Sequence, residues 1–112
     1  MKMRAGENTL ETTVCELEVS IKNADGLHMR PAMQFVDIAN QYQCDIVVSN
    51  NETRVDGKSI MQMSMLAATC GTKLKIRAKG MDAQKAVEAL RELVEEKHFD
   101  EPTPEERKKN QN

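Results

Sequence analysis

The stretch Gly26-Leu27-His28-Met29-Arg30-Pro31-Ala32 marks the place where an alternating run gives way to a helical one. Upstream, residues 14–22 set Cys15, Leu17, Val19 and Ile21 on one face and Glu16, Glu18, Ser20 and Lys22 on the other, the period of a half-buried strand. Downstream, Ala32, Phe35, Val36, Ala39 and Tyr42 recur at helical spacing and predict a helix over 29–43. Asn23-Ala24-Asp25-Gly26 reads as a loop, with Gly26 supplying the freedom of a tight turn. Pro31 fits the first helical turn, where a missing N–H costs nothing.

The remaining elements follow the same two periods. Residues 44–49 form a strand with Cys44, Ile46 and Val48 inward. Asn50-Asn51 is a hairpin turn, since Asn tolerates positive φ, and residues 52–55 return as a short polar strand at a sheet edge. Asp56-Gly57-Lys58 breaks the chain. Ser59 then opens a short helix, at capping-box spacing from Gln62. Met63, Leu66, Ala67 and Cys70 are assigned to its core face, Met61 and Met65 point away with Ile60 on the flank, and Gly71 is its stop. Residues 72–79 alternate again, with Leu74, Ile76 and Ala78 inward and Lys73, Lys75, Arg77 and Lys79 outward. Asp82 is the expected N-cap of a third helix. Ala86, Val87, Leu90, Leu93 and Val94 form its buried stripe, ending near His98.

Three helices and four strands with one apolar sheet face predict a two-layer α+β domain over residues 14–99, its helices on one side. The polar ends, 1–13 and 100–112, are expected to be a disordered leader and tail. The acidic outer face of the first strand (Glu16, Glu18) and the basic one of the last (Lys75, Arg77) predict that these strands are neighbours.

Composition narrows the function. A chain of 112 residues with net charge -2 has no basic field to draw nucleic acid. No apolar run approaches membrane length and no signal peptide is evident. The cysteines Cys15, Cys44 and Cys70 are odd in number, lack metal-type spacing and fall at apolar positions. They read as buried reduced thiols of a cytoplasmic protein. Nothing points to a metal or an organic cofactor.

The chemistry lies at the start of the first helix. Its amides lack helical partners and carry the positive end of the macrodipole, which makes an anion site of Met29, Arg30 and Pro31. Arg30 adds a donor fork suited to phosphate. The same field disfavours an imidazolium, so His28 is expected to be neutral and nucleophilic, a candidate phosphoryl acceptor. Local chemistry alone leaves a structural or merely solvated histidine equally open. An N-cap role likewise accounts for Ser59, although a phosphate there would also be favoured by the helix dipole. His98, near a helix C-terminus where a cation helps the dipole, reads as structural or merely solvated.

Together, Gly26-Leu27-His28-Met29-Arg30-Pro31-Ala32 and Gly57-Lys58-Ser59-Ile60-Met61 resemble the histidine-containing phosphocarrier protein (HPr) family of the bacterial sugar phosphotransferase system. Met29 stands where that family usually has alanine. The resemblance implies an open-faced, antiparallel sheet of order 1-4-2-3. It implies phosphorylation of His28 at Nδ1 by enzyme I, charged from phosphoenolpyruvate, and transfer to an enzyme IIA. Such a chain is a substrate and donor, not a turnover enzyme. The resemblance also implies regulatory phosphorylation of Ser59 by an HPr kinase/phosphorylase. Partners would dock on Met29, Ile60, Met61 and Met65, near His28, with the two helix N-termini lying together. Two other readings stand beside it: a purely regulatory protein controlled at Ser59, and a small interaction module whose histidine is incidental.

Overall fold

The alternation of the strand segments closes into one sheet. The computed structural model describes residues 13–110. Strands β1 (Val14–Ser20), β2 (Cys44–Ser49), β3 (Arg54–Asp56) and β4 (Lys73–Gly80) form an antiparallel sheet of order β1-β4-β2-β3. β1 and β4 are neighbours, with Glu16 opposite Arg77 and Glu18 opposite Lys75. The outer-face charges therefore meet across strands, as their signs required. Helices α1 (Met29–Ala39), α2 (Ile60–Ser64) and α3 (Ala83–Arg91) lie on the other face, and a π-helical turn, Glu92–Glu96, continues α3. Phe35, Met63, Val87, Leu90 and Val94 from the helical layer meet Val19, Ile46, Val48, Leu74 and Ile76 from the sheet in a continuous core.

Several local expectations need correction. α1 stops at Ala39 rather than at 43 because Asn40 turns its side chain back, its Nδ2 donating to the Val36 carbonyl (2.9 Å). α2 ends at Ser64, six residues before the segment assigned to its core face runs out. Ser64 Oγ donates to the Met61 carbonyl (2.7 Å) and Ala67 turns left-handed (φ 52). Leu66 and Ala68 are consequently buried, whereas Ala67 and Cys70 are exposed, and Gly71 serves the turn into β4 instead of stopping a helix. Only Cys44 among the three thiols is buried, and burial pushes its pKa up. Asp82 is the N-cap residue of α3 as expected, but its side chain makes no capping bond; its carboxylate accepts from the Gln43 amide (2.9 Å) and ties the start of α3 to the approach to β2.

The largest correction is at the C-terminus. Residues 100–110, expected to be disordered, run from a turn into a fourth helix, α4 (Pro104–Asn110), and return across the start of α1. The expected leader over 1–13 lies, Thr13 apart, outside the described residues.

Gly26 sits where the chain enters α1, with φ 75. A Cβ there would lie 2.7 Å from the Ala68 carbonyl oxygen and 2.9 Å from Thr69 Cα, both backbone atoms that cannot give way cheaply. Gly26→Ala is expected to cost about 1–3 kcal/mol from overpacking and positive φ together, read as a lower urea midpoint with an unchanged slope.

Candidate functional site

α1 starts where the sequence placed it. Pro31 and Ala32 are buried and seat the first turn, while His28, Met29 and Arg30 face solvent. His28 is the N-cap residue in extended conformation (φ -97, ψ -167), and its ring makes no capping bond. The Leu27 amide donates to the Ala68 carbonyl (2.8 Å), which fixes the entry angle.

The ring is held from an unexpected direction. His28 Nε2 lies 2.9 Å from Glu101 Oε2 and 3.1 Å from Oε1. Arg30 donates to the same Oε2 (2.8 Å), and Asn23 Nδ2 donates to Oε1 (2.8 Å). The Glu101 side chain is 9% exposed and that of His28 43%, so a nearly covered carboxylate supports an open ring. Burial pushes the Glu101 carboxyl up, but the hydrogen bonds from Asn23, His28 and Arg30 outweigh it and hold the group below the ordinary glutamate value. An ionised carboxylate only accepts, so Nε2 must carry the proton. In the uncharged ring the lone pair is then on Nδ1, which has no hydrogen-bond partner among the described residues. Reasoning from the helix field and Arg30 alone had left this carboxylate out.

A second ion pair flanks the first. Arg107 on α4 donates to Asp25 Oδ2 (2.7 Å), and that bond holds Asp25 below the ordinary carboxylate range. Gln34, with its amide oriented to satisfy both neighbours, donates to the Phe99 carbonyl (3.2 Å) and accepts from Arg30 (3.0 Å). Glu101 reaches the site through an unusual turn. His98, Phe99 and Asp100 all adopt left-handed backbone, with φ between 52 and 58. Such a conformation costs about 1–2 kcal/mol per non-glycine residue, and complete burial of Phe99 offsets it here. His98 is therefore a structural residue, part of a reversal in the chain just past the helix.

Asp25, His28 and Glu101 bring their ligand atoms within 4.8 Å of one another, a spacing that could hold a cation. Both carboxylates are already matched by the guanidinium groups of Arg107 and Arg30, so the set is balanced as an ion-pair network.

The second motif lies elsewhere. Ser59 caps α2, its Oγ accepting from the Gln62 amide (3.2 Å). The Gln62 side chain does not close a capping box; its Oε1 accepts from the Asp56 amide (2.8 Å). α2 runs antiparallel to α1: Asn40, beyond the C-terminus of α1, reaches the Lys58 carbonyl (3.3 Å), whereas Leu27 pairs with Ala68 beyond α2. The two helix N-termini are therefore not together but lie toward opposite ends of α1, a helix of eleven residues and so about 16 Å long. Met61 and Met65 are exposed (75% and 70%), as their helical phase required, and Met29 is 55% exposed. Ile60 is half-buried against the core.

Fold and site together define a class: a small open-faced sandwich that presents a histidine and an arginine at a helix N-terminus to an anion. Comparison with known proteins agrees. The family model described as the PTS HPr component phosphorylation site matches residues 15–96. The chain is 46% identical over 86 residues to the phosphocarrier protein HPr of Pseudomonas aeruginosa, an alignment covering 76% of this chain and 94% of that protein. The structure of HPr-C-His from Thermoanaerobacter tengcongensis superposes with a TM-score of 0.74 at 38% identity, covering 78% of this chain and 97% of the other. That of HPr from Bacillus anthracis gives 0.71 at 35% identity, covering 74% and 99%. The chain belongs to the HPr family of phosphocarriers of the phosphotransferase system. Among the described residues no helix is long and apolar enough to cross a membrane.

The lowered Glu101 pKa has a sign. A carboxyl whose folded pKa is depressed stabilises the fold above its unfolded pKa, about 4.3 for glutamate, and loses that contribution as pH falls through the folded value. The stability difference between the native chain and Glu101→Gln is therefore expected to be full at neutral pH and to shrink below about pH 4.3, measured by urea denaturation across pH with the Arg30, His28, Asp25 and Arg107 groups left intact.

Proposed function

We propose that His28 accepts a phosphoryl group on Nδ1 from phosphoenolpyruvate-charged enzyme I and passes it to an enzyme IIA component. The chain then acts as a substrate and donor of other phosphotransferases, not as a turnover enzyme. The observation that carries this reading is the division of labour on one ring. Nε2 is engaged as a donor to Glu101, and among the described residues Nδ1 has no partner, on an exposed side chain at the N-terminus of α1. In the transfer, the Nδ1 lone pair forms the N–P bond as the donor's bond to phosphorus breaks, and the proton on Nε2 remains in place. The first amides of α1 and the Arg30 fork are suited to the phosphoryl oxygens. One arginine and a few amides hold the group lightly, which suits a carrier that must give it up again. The site of action is the cytoplasm, where Cys15, Cys44 and Cys70 stay reduced.

Partners would dock across the exposed methionines. Met29 adjoins His28, and Met61 and Met65 lie along α2. Flexible, polarizable side chains of this kind adapt to several partner surfaces. A second reading makes the chain a regulatory protein modified at Ser59 by an HPr kinase/phosphorylase. In its favour, the Ser59 hydroxyl caps the helix that carries Met61 and Met65, so a phosphate there would put a dianion beside that surface.

Incubation with phosphoenolpyruvate and enzyme I is expected to give acid-labile, base-stable label that is absent from His28→Ala. No label would defeat the carrier reading, and label only with ATP and kinase, lost in Ser59→Ala, would favour the regulatory one. Arg30→Ala is expected to slow His28 labelling about 10- to 100-fold, the worth of one charge-assisted hydrogen bond of about 1.5–3 kcal/mol. Ser59→Ala should leave His28 labelling intact and lower stability by about 0.5–2 kcal/mol through loss of the cap.

A further inference from the structure

The segment that brings Glu101 to His28 lies past residue 96, where the family match ends. It is not laid on the surface at random. Three of its anchors fall on the short loop that launches α1. The Ala24 amide donates to the Pro102 carbonyl (2.9 Å), Asn23 Nδ2 to Glu101 Oε1 (2.8 Å), and Arg107 to Asp25 (2.7 Å). A fourth ties its base, the Phe99 carbonyl, to Gln34 on α1. Pro102 and Pro104 stiffen the stretch between the turn and α4.

The central contact is with the groups that the proposed function needs. Glu101 Oε2 receives both His28 Nε2 and Arg30 Nη2. A carboxylate is thus already seated on the cation that would meet a phosphoryl group. A phosphoryl group on Nδ1 adds close to two negative charges to the ring that Glu101 touches, well inside one Debye length of about 8 Å. It also offers Arg30 a stronger acceptor than a carboxylate. Both effects act against Glu101 and so against the segment it anchors.

We propose that residues 101–110 are an intramolecular strap, whose Glu101 carboxylate occupies the anion site of His28 and Arg30 in the unphosphorylated protein and yields it when His28 is phosphorylated. Resting on the acceptor role of His28, the strap makes the loading state of the ring visible beyond the ring itself. Lifting it uncovers the buried Asn23 beside the phosphohistidine and frees the already exposed Asp25 from Arg107, so loaded and empty carriers present different surfaces to their partners.

The test uses the full chain and a small donor, phosphoramidate, so that no partner protein is present. Phosphorylation is verified by intact mass and mapped to His28, and amide hydrogen exchange is followed at Ala24, whose amide bonds the strap. The Gly57 amide, bonded to the Ile46 carbonyl (2.8 Å) at the β2–β3 end of the sheet, serves as control. Exchange at Ala24 is expected to rise about tenfold or more on phosphorylation, with Gly57 unchanged. In Glu101→Ala it is expected to be raised already, with phosphorylation adding little. Phosphohistidine with unchanged exchange at Ala24, or Glu101→Ala with exchange like the native chain, overturns the strap and leaves the carrier role standing. Absence of phosphohistidine at His28 with both phosphoramidate and enzyme I overturns the two together.

Discussion

The entry into α1 is pinned on its inner side and open on its outer side, and the site follows from that asymmetry. The Leu27 side chain is buried, its amide is bonded to Ala68, and Gly26 lies so close to the Ala68–Thr69 backbone that no side chain fits. Pro31 and Ala32 complete the anchor from within the helix. The chain therefore passes through His28, Met29 and Arg30 at the one point where it must turn from core to surface. The imidazole is presented between packed neighbours, with Leu27 buried before it and Pro31 and Ala32 buried after it.

Charge organises what the backbone presents. The ring and Arg30 converge on Glu101, and Arg107 converges on Asp25. Two acids and two guanidinium groups surround one imidazole, so a single added or removed anion alters several contacts at once. The carboxylate has two opposed consequences. By accepting from Nε2 it directs the lone pair to Nδ1, and by occupying Arg30 it competes with the group that Nδ1 would receive. A carrier works at intermediate affinity, and an internal competitor is one physical route to it.

Legibility of the fold depended on how far apart in sequence the deciding interactions lie. The strands were readable because period-two alternation is local, and the β1–β4 pairing because Glu16 and Glu18 carry the opposite sign to Arg77 and Lys75. The helix ends were less so. Asn40 and Ser64 each turned a polar side chain onto a helical carbonyl and shortened their helices, a competition that hydrophobic periodicity does not register. Asp82 had the right position for a cap and found a better donor, Gln43, supplied by the tertiary structure.

For the site, the sequence by itself determined the imidazole, the arginine and the helix that orients them, because Gly26 to Ala32 are contiguous and their chemistry is local. It also held the Ser59 cap, three residues from its partner. Only the tertiary structure decided what faces the second nitrogen of the ring. Glu101 is 73 residues from His28 in the chain and sits in a polar, proline-containing stretch with no period. Its place comes from burying Phe99 behind a left-handed turn and from opposite charges on α4 and the Asp25 loop. Those forces act across space rather than along the chain, so composition showed a disordered tail where the fold made a carboxylate ligand.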